Sequence, residues 1–577
     1  MRNSDGLIPL VIGVTGHRNP LTSSVDELKL RVGEILDRLD QSAPNTPFVF
    51  LSPLARGCDR IAAIAALDFK RRNHAMGIEV IGVLPLKIDD YRRDFADDPV
   101  DAAEFEWLLE RVDSYFELPA WSGAQCDAKG YIPFGTDRDC HYRRLGLYVA
   151  LQSQLMIAMW NGVRNGLVGG TAEVVDFCMG ERPRDFECGI PFRRATLLLA
   201  PHDTTPIACI PTVRESGGVV VEEARGLAAA SLCERFTHAL GELELLNTRL
   251  AATMPSTWRS PITELPVQDS ARDPWHRLIE RYRRLDALSA AMKTSHLRNA
   301  KLIPMLAAVG VMSFQWFSSY AGEYSGHAWI SMALYFLFLA ASTSVWMIAK
   351  KRQRTEWIFV HARALAEAMR IQLAWTGSGI QEAAPDLYLA RRHGEVAFLR
   401  AQLRAATLEC AIVNARGGCG VETKIGSEWI REQEEYFRIE GPAMKRRSHY
   451  MAQRKWWKNA LGGSVLITSV ALLLISFVDA LGDGQLISAW ANLGCFLVGL
   501  SLSAIVGFDY ISKATLDEED LEVSKRMHEV FALAHSRLKK EPELTHEIFR
   551  AMGKEALDEH ADWFARHREK LQLPEAG

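Results

Sequence analysis

Four stretches of this 577-residue chain, Leu302 to Ala321, Ala328 to Ala349, Leu461 to Val478 and Leu486 to Gly507, contain no Asp, Glu, Lys or Arg. Each has about the 20 residues a helix needs to cross a hydrocarbon core, and four runs of this length and purity predict membrane spans rather than soluble core helices. The connectors Gly322 to His327 and Asp479 to Gln485 are short, so the runs pair into two tight antiparallel hairpins. Arg298 and Lys301 precede the first run, Lys350, Lys351, Arg352 and Arg354 follow the second, and Arg454, Lys455 and Lys458 precede the third. The connectors carry Glu323, Asp479 and Asp483. Positive charge stays inside, which puts both connectors outside and the N-terminus, the middle segment and the C-terminus in the cytoplasm. Trp316, Trp346, Trp456 and Trp457 sit near span ends, as interfacial aromatics do.

The first third of the chain reads differently. From Leu7 to about Val213, short β-branched runs alternate with amphipathic segments. Leu7 to Val14, Phe48 to Leu51, Glu79 to Leu84, Leu155 to Trp160 and Ile207 to Pro211 predict strands. Val25 to Leu39, Asp59 to Arg72 and Phe105 to Val112 predict helices. Strand alternating with helix implies a parallel, Rossmann-like α/β sheet covered on both faces. A polar excursion surrounds Glu181 to Arg194, and beyond Glu222 helical periodicity takes over, from Ala224 through Ala252 and from Trp275 to Arg298.

Other classes are disfavoured by charge and cysteine usage. A net charge of -4 supplies no basic field for nucleic acid. The ten cysteines show neither a disulfide framework nor a C-x-x-C zinc pattern, so reduced thiols are expected, with no metal site and no cofactor. The start of the chain lacks the basic region and apolar core of a secretory signal.

Three glycine-bearing segments follow predicted strands. In Gly13-Val14-Thr15-Gly16-His17-Arg18 the glycines allow close backbone approach to a phosphate, while Thr15 and Arg18 add a hydroxyl and a fixed cation. Ser52-Pro53-Leu54-Ala55-Arg56-Gly57-Cys58-Asp59 opens a helix whose Ala62, Ala63, Ala65 and Ala66 permit close packing on the sheet. Its N-terminus offers a second anion site, and Asp59 is either a cap or a ligand contact. Gly169-Gly170-Thr171-Ala172-Glu173 stands at a third strand-to-helix junction, where Glu173 can bind a ribose hydroxyl, act as acid or base, or complement the helix dipole. Three such junctions on one sheet edge are expected to converge on one crevice.

In this order the three segments resemble the SLOG superfamily, the Rossmann-like group that includes the DNA-processing protein A domain and the Lonely-guy phosphoribohydrolases. Ser52 to Asp59 is similar to the former's S-G-x-A-x-G-x-D segment, and Gly169 to Glu173 to the latter's P-G-G-x-G-T-x-x-E loop. The resemblance covers about Leu7 to Arg214. It implies a site for a nucleotide or ribosyl phosphate, with Arg143, Arg144 and Arg214 as candidates, by location, for the arginine that partners the glutamate in those hydrolases. The membrane half resembles, in architecture, the SLATT-type helical modules that accompany SLOG domains in bacterial defence and nucleotide signalling.

The expected organisation is a SLOG-like domain at 1-222, a helical coupling segment at 223-300, transmembrane hairpins at 301-350 and 460-508, a cytoplasmic helical segment at 351-459 and C-terminal cytoplasmic helices at 509-577. The function expected is a sensor or effector in the bacterial inner membrane, acting as a homo-oligomer, whose nucleotide-derived ligand controls a four-span body set in the lipid bilayer. The alternative is a membrane-tethered nucleotide N-glycosidase, phosphoribohydrolase-like, with Glu173 catalytic. The ligand-binding candidates are Gly13, Thr15, Gly16, His17, Arg18, Ser52, Ala55, Arg56, Gly57, Asp59, Gly169, Gly170, Thr171, Glu173 and Arg214.

Overall fold

The computed structural model describes residues 6–72, 77–121, 123–164, 166–181, 204–224, 234–257, 269–320, 328–388, 397–416, 423–438, 442–479, 487–515 and 517–571. They form two compact units. One takes in Met1–Leu288, Ala362–Ser427 and Glu543–Ala561, the other Ser289–His361, Glu428–Pro542 and Asp562–Gly577.

The first unit is built on a six-stranded sheet of β1 (Leu10–Gly16), β2 (Phe48–Ser52), β3 (Ile78–Leu84), β4 (Ser114–Glu117), β5 (Leu155–Trp160) and β6 (Ile207–Pro211), in the order β4-β3-β2-β1-β5-β6. Every pairing is parallel. Continuous apolar runs such as Leu155-Met156-Ile157-Ala158-Met159-Trp160 are buried along their whole length, because a parallel sheet has helices on both faces. Five of these strands are those the sequence predicts. The short edge strand β4 was not anticipated.

The helices interleave as α1 (Val25–Ser42), α2 (Cys58–Arg72), α3 (Ile88–Tyr91), α4 (Pro99–Leu109), α5 (Thr136–Gln152) and α6 (Thr171–Cys178). α1 packs on α2, and α5 packs on α6. A side chain at Gly13 would collide with Ser153 and Val149, at the end of α5 and just beyond, and one at Gly16 with Cys58 of α2. Because positions 13 and 16 face opposite sides of a strand, the two glycines let one helix down on each face. Chain order reverses between β1 and β5, which makes their carboxyl ends the switch point where ligands of such sheets bind.

Further helices close the opposite, entry end of the sheet. On α7 (Glu234–Ala251), Asn247 donates to the carbonyl of Ile8 at 2.8 Å and accepts from its N–H at 3.0 Å. On α8 (Asp269–Tyr320), Arg281 donates to the Leu7 carbonyl at 2.8 Å and forms a two-pronged buried pair with Glu409 at 2.8 and 2.9 Å. Further helices include α9 (Ala328–Gly377), α10 (Ala397–Ala406) and α11 (Leu408–Ala415), of 50, 10 and 8 residues. In this unit Trp375 of α9 donates to the Phe549 carbonyl at 3.1 Å and lies against Gly553, where any side chain would collide with its indole.

The second unit is helical. Ser448–Val478 of this unit and Arg272–Phe314, which begins in the first unit and continues into this one, are long and apolar enough to cross a membrane, and Met332–Ile348 and Phe496–Ile511 are shorter apolar stretches. α12 (Pro442–Asp479) packs against α13 (Ile487–Thr515): Ser464 and Ser501 hydroxyls meet at 3.2 Å, and Lys458 pairs with Asp509 at 3.1 Å. None of the apolar window of Ser448–Val478 is buried. Residues 321–327 and 480–486, which hold most of the two expected connectors, and residues 182–194 of the polar excursion lie outside the described residues.

Candidate functional site

At the carboxyl rim, the β1 and β2 segments touch directly. The Cys58 N–H at the start of α2 donates to the His17 carbonyl at 3.0 Å. Gly57, at φ +85°, lies so close that a side chain there would come within 2.1 Å of the Arg18 carbonyl. Positive φ and contact with backbone both demand glycine. Ser52 organises this turn from within: its hydroxyl donates to the Asp59 carbonyl at 3.0 Å and accepts from the Leu54 N–H at 3.1 Å. It is fully buried and already committed, so its role is to shape the loop. Leu54 itself sits at φ 54°, an uncommon conformation for a branched residue and a mark of a tightly determined turn.

His17 occupies the switch point. It is 4 % exposed, its Nε2 accepts from the Asn161 N–H at 3.2 Å, and Arg214 Nε approaches its Nδ1 at 3.2 Å. Burial, reinforced by the Arg214 charge, lowers its pKa to about 4, so the ring is neutral at physiological pH. A neutral imidazole has one bare nitrogen, so it accepts from one of these two donors at a time. The Asn161 amide is fixed by the fold; the guanidinium is the partner that can leave.

The third segment joins through α5. Arg143 grips Glu173, Nε to Oε2 at 3.0 Å and Nη2 to Oε1 at 2.8 Å, and the Gly169 N–H donates to Oε2 at 2.7 Å. Gly169, at φ +70°, packs on the α5 backbone at Arg143, and Gly170 precedes Thr171, the first residue of α6. Glu173 therefore anchors its own loop, with both oxygens engaged. Of the three arginines placed by location, Arg143 is the partner of the glutamate. Arg144 instead donates to the Pro119 carbonyl at 2.8 Å. The neighbouring residue Tyr142 lies under Arg18, its ring centroid 5.0 Å from the guanidinium, and hydrogen-bonds Asp94, which also binds Arg138 at 2.7 Å. Adjacent residues of one helix thus contact the first and third segments.

Not every candidate faces this rim in the same way. Gly13 lies inside β1, and its missing side chain serves helix packing. Arg56 is half exposed and reaches Asp98 at 3.5 Å and Asp101 at 3.9 Å, so its charge is compensated. Thr15 is buried at the end of β1, and Ala55 is partly exposed in the turn. Arg18 and Arg214 have no carboxylate within 4 Å among the described residues, in contrast to Arg56, Arg60, Arg138 and Arg143. Asp59 is 8 % exposed, and burial raises its pKa to about 8 against the opposing pull of Arg18 and Arg60. Guanidiniums without a carboxylate partner are suited to receiving an anion.

Among the described residues no group of three or more His, Cys, Asp or Glu is placed to hold a metal ion. Cys58, Cys126, Cys178, Cys209 and Cys410 are free thiols, whereas Cys140 on α5 is disulfide-bonded, a departure from the expectation of reduced thiols throughout. No protein-family model matches the chain, and no curated protein is significantly similar to it.

Proposed function

We propose that this protein is a membrane-anchored sensor or effector whose sheet unit receives a phosphate-bearing, nucleotide-type ligand at the rim formed by the β1, β2 and β5 loops. The observation that carries the reading is that Arg214 meets a neutral, buried His17 at the switch point, with Arg18 next in the chain lying over Tyr142, and that neither guanidinium has a carboxylate within 4 Å among the described residues. Fixed cations beside a neutral partner attract an anion without first having to break an ion pair.

The membrane part of the reading takes all four uncharged runs as spans of two hairpins in a bacterial inner membrane, with cytoplasmic termini and several subunits per assembly. Support comes from the two long apolar helices and from large apolar side chains that stand exposed along them. The resemblance to SLOG and SLATT modules points the same way. Signalling requires that the ligand favour one arrangement of the helices over another. A physical link for this exists in β1: its loop carries His17 and Arg18, and the residue that precedes it by three, Leu7, is bonded to α8, the helix that continues into the first uncharged run. Glu173 is held by Arg143 and Gly169, which favours anchoring over catalysis.

The test is calorimetric titration of the detergent-solubilised full chain with nucleoside mono- and diphosphates and ribose 5-phosphate. Arg18→Gln and Arg214→Gln are each expected to weaken binding by about tenfold or more, the loss of one charge-assisted contact. Unchanged affinity in both variants, or no binding of any phosphate compound, defeats the reading.

A further inference from the structure

Most acids around the rim are already engaged. Asp90 and Asp94 hold Arg138, Asp98 and Asp101 hold Arg56 and Arg60, and Glu173 holds Arg143. Asp59 is the exception. It stands in the first turn of the 15-residue α2, it makes no ion pair within 4 Å among the described residues, and its buried Oδ1 has no hydrogen-bond partner there. A carboxylate left in that state is costly, whereas the neutral acid is tolerated.

The charged and titratable groups coupled electrostatically to Asp59 come from three places: Arg18 from the loop after β1, Cys58 and Arg60 from α2 itself, and Tyr91 from α3. Arg60 is turned toward Asp101 and Glu104, at 2.5 and 3.0 Å. Burial pushes the Cys58 thiol up to about 12 and the Tyr91 phenol well above its ordinary value. Asp59, whose pKa burial raises to about 8, is the member of this group whose charge changes near neutral pH. Of the two cations that oppose the effect of burial on Asp59, Arg18 comes before Arg60, and it is the guanidinium with no carboxylate within 4 Å among the described residues.

We infer that Asp59 is a proton-gated rival for Arg18: while it carries its proton it leaves the guanidinium to the phosphate or diphosphate of a ligand, and once it loses the proton it draws Arg18 to itself and repels the incoming anion. This rests on the anion-receiving reading of the rim and adds to it a definite linkage, in which one proton on Asp59 accompanies the bound anion. Affinity then declines as pH rises through the Asp59 midpoint, by at most about tenfold per pH unit, the limit for one linked proton.

Inorganic sulfate is a suitable probe, because it remains a dianion throughout this range and its own titration does not intrude. Its dissociation constant would be measured on the full-length protein one pH unit below and one above the Asp59 midpoint. The wild type should bind more weakly at the higher pH. Asp59→Asn, a neutral side chain of the same shape, should bind at both pH values as the wild type does at the lower one. Persistence of the pH effect in Asp59→Asn, or loss of sulfate binding by that variant at the lower pH while it remains folded by thermal denaturation, overturns the inference. Arg18→Gln supplies a second route should Asp59→Asn fail to fold: with the contested guanidinium gone only the direct repulsion remains, so the pH dependence must shrink, and a dependence as large as the wild type's is equally fatal. If the wild type binds no sulfate at either pH, the anion site itself falls, and the gate with it.

Discussion

β5 and the helix Ser448–Val478 are both dominated by apolar residues, yet they present them to opposite surroundings. Every residue from Leu155 to Trp160 is fully buried between helices, whereas Leu466, Ile467, Leu473, Leu474, Phe477 and Val478 are 60 to 71 % exposed. In the sheet, apolar area leaves water by contact with other parts of the chain, at about 25 cal/mol per Å². Those six side chains of the helix lack such cover among the described residues, and a surface of that kind is stable only in a non-aqueous solvent or against another apolar surface. Composition alone does not separate the two cases; what surrounds the side chains does.

The sharpest break is expected at Gly57. Gly57→Val forces a β-branched residue into positive φ and drives its Cβ against the Arg18 carbonyl, so the sheet unit should lose on the order of 5 kcal/mol or fail to fold, with the apolar helices still resistant to alkaline extraction from membranes. Protease sensitivity of the sheet unit together with that extraction separates the two effects. Trp160→Ala should cost about 3–5 kcal/mol through an unfilled cavity, measured by thermal or denaturant unfolding of the sheet. Leu473→Lys should penalise insertion by about 3 kcal/mol, read from glycosylation mapping of membrane topology. If that variant inserts normally, the helix does not face lipid at this position.

A subtler expectation concerns pH. His17, whose folded pKa lies below its ordinary value, makes stability rise with pH between about 4 and 6.5, since only the unfolded chain holds that proton. Asp59, whose folded pKa lies above its ordinary value, makes stability fall between about 4 and 8, since there only the folded chain holds the proton. The two contributions oppose each other in acid, and from about 6.5 to 8 the Asp59 term stands alone, worth at most about 2 kcal/mol. Asp59→Asn should therefore flatten the unfolding free energy across that upper window. Smallest of all, Leu473→Ala should change sheet stability by less than about 0.5 kcal/mol, because its side chain is 71 % exposed.

Much of the first unit is legible in the sequence because buried parallel strands are written as largely apolar runs, and β1, β2, β3 beyond Glu79, β5 and β6 all contain one. β4 is four residues with a charged end, too short and too polar for that signal. α5 escaped for a more instructive reason: the positions it turns inward include Arg138, His141 and Arg144, so ionic side chains stand where apolar ones would have revealed a helical period. With α5 missed, its ties from Tyr142 to Arg18 and from Arg143 to Glu173 had no visible framework. The glycine turns could be read, but not their division of labour. Whether Gly13 packs or binds, and whether Arg56 or Arg214 is the uncompensated cation, depends on neighbours from distant parts of the chain.

The Trp375 indole, donating to Phe549 and stacked on Gly553, fixes an order of events during synthesis. Residues 543–561 leave the ribosome after all four uncharged runs have emerged, yet they complete the same unit as the amino-terminal sheet. On the membrane reading proposed above, partition of the hydrophobic helices thus precedes the finishing of the globular half, and a nascent chain truncated before residue 543 would already be tethered while Trp375 still lacked its cover.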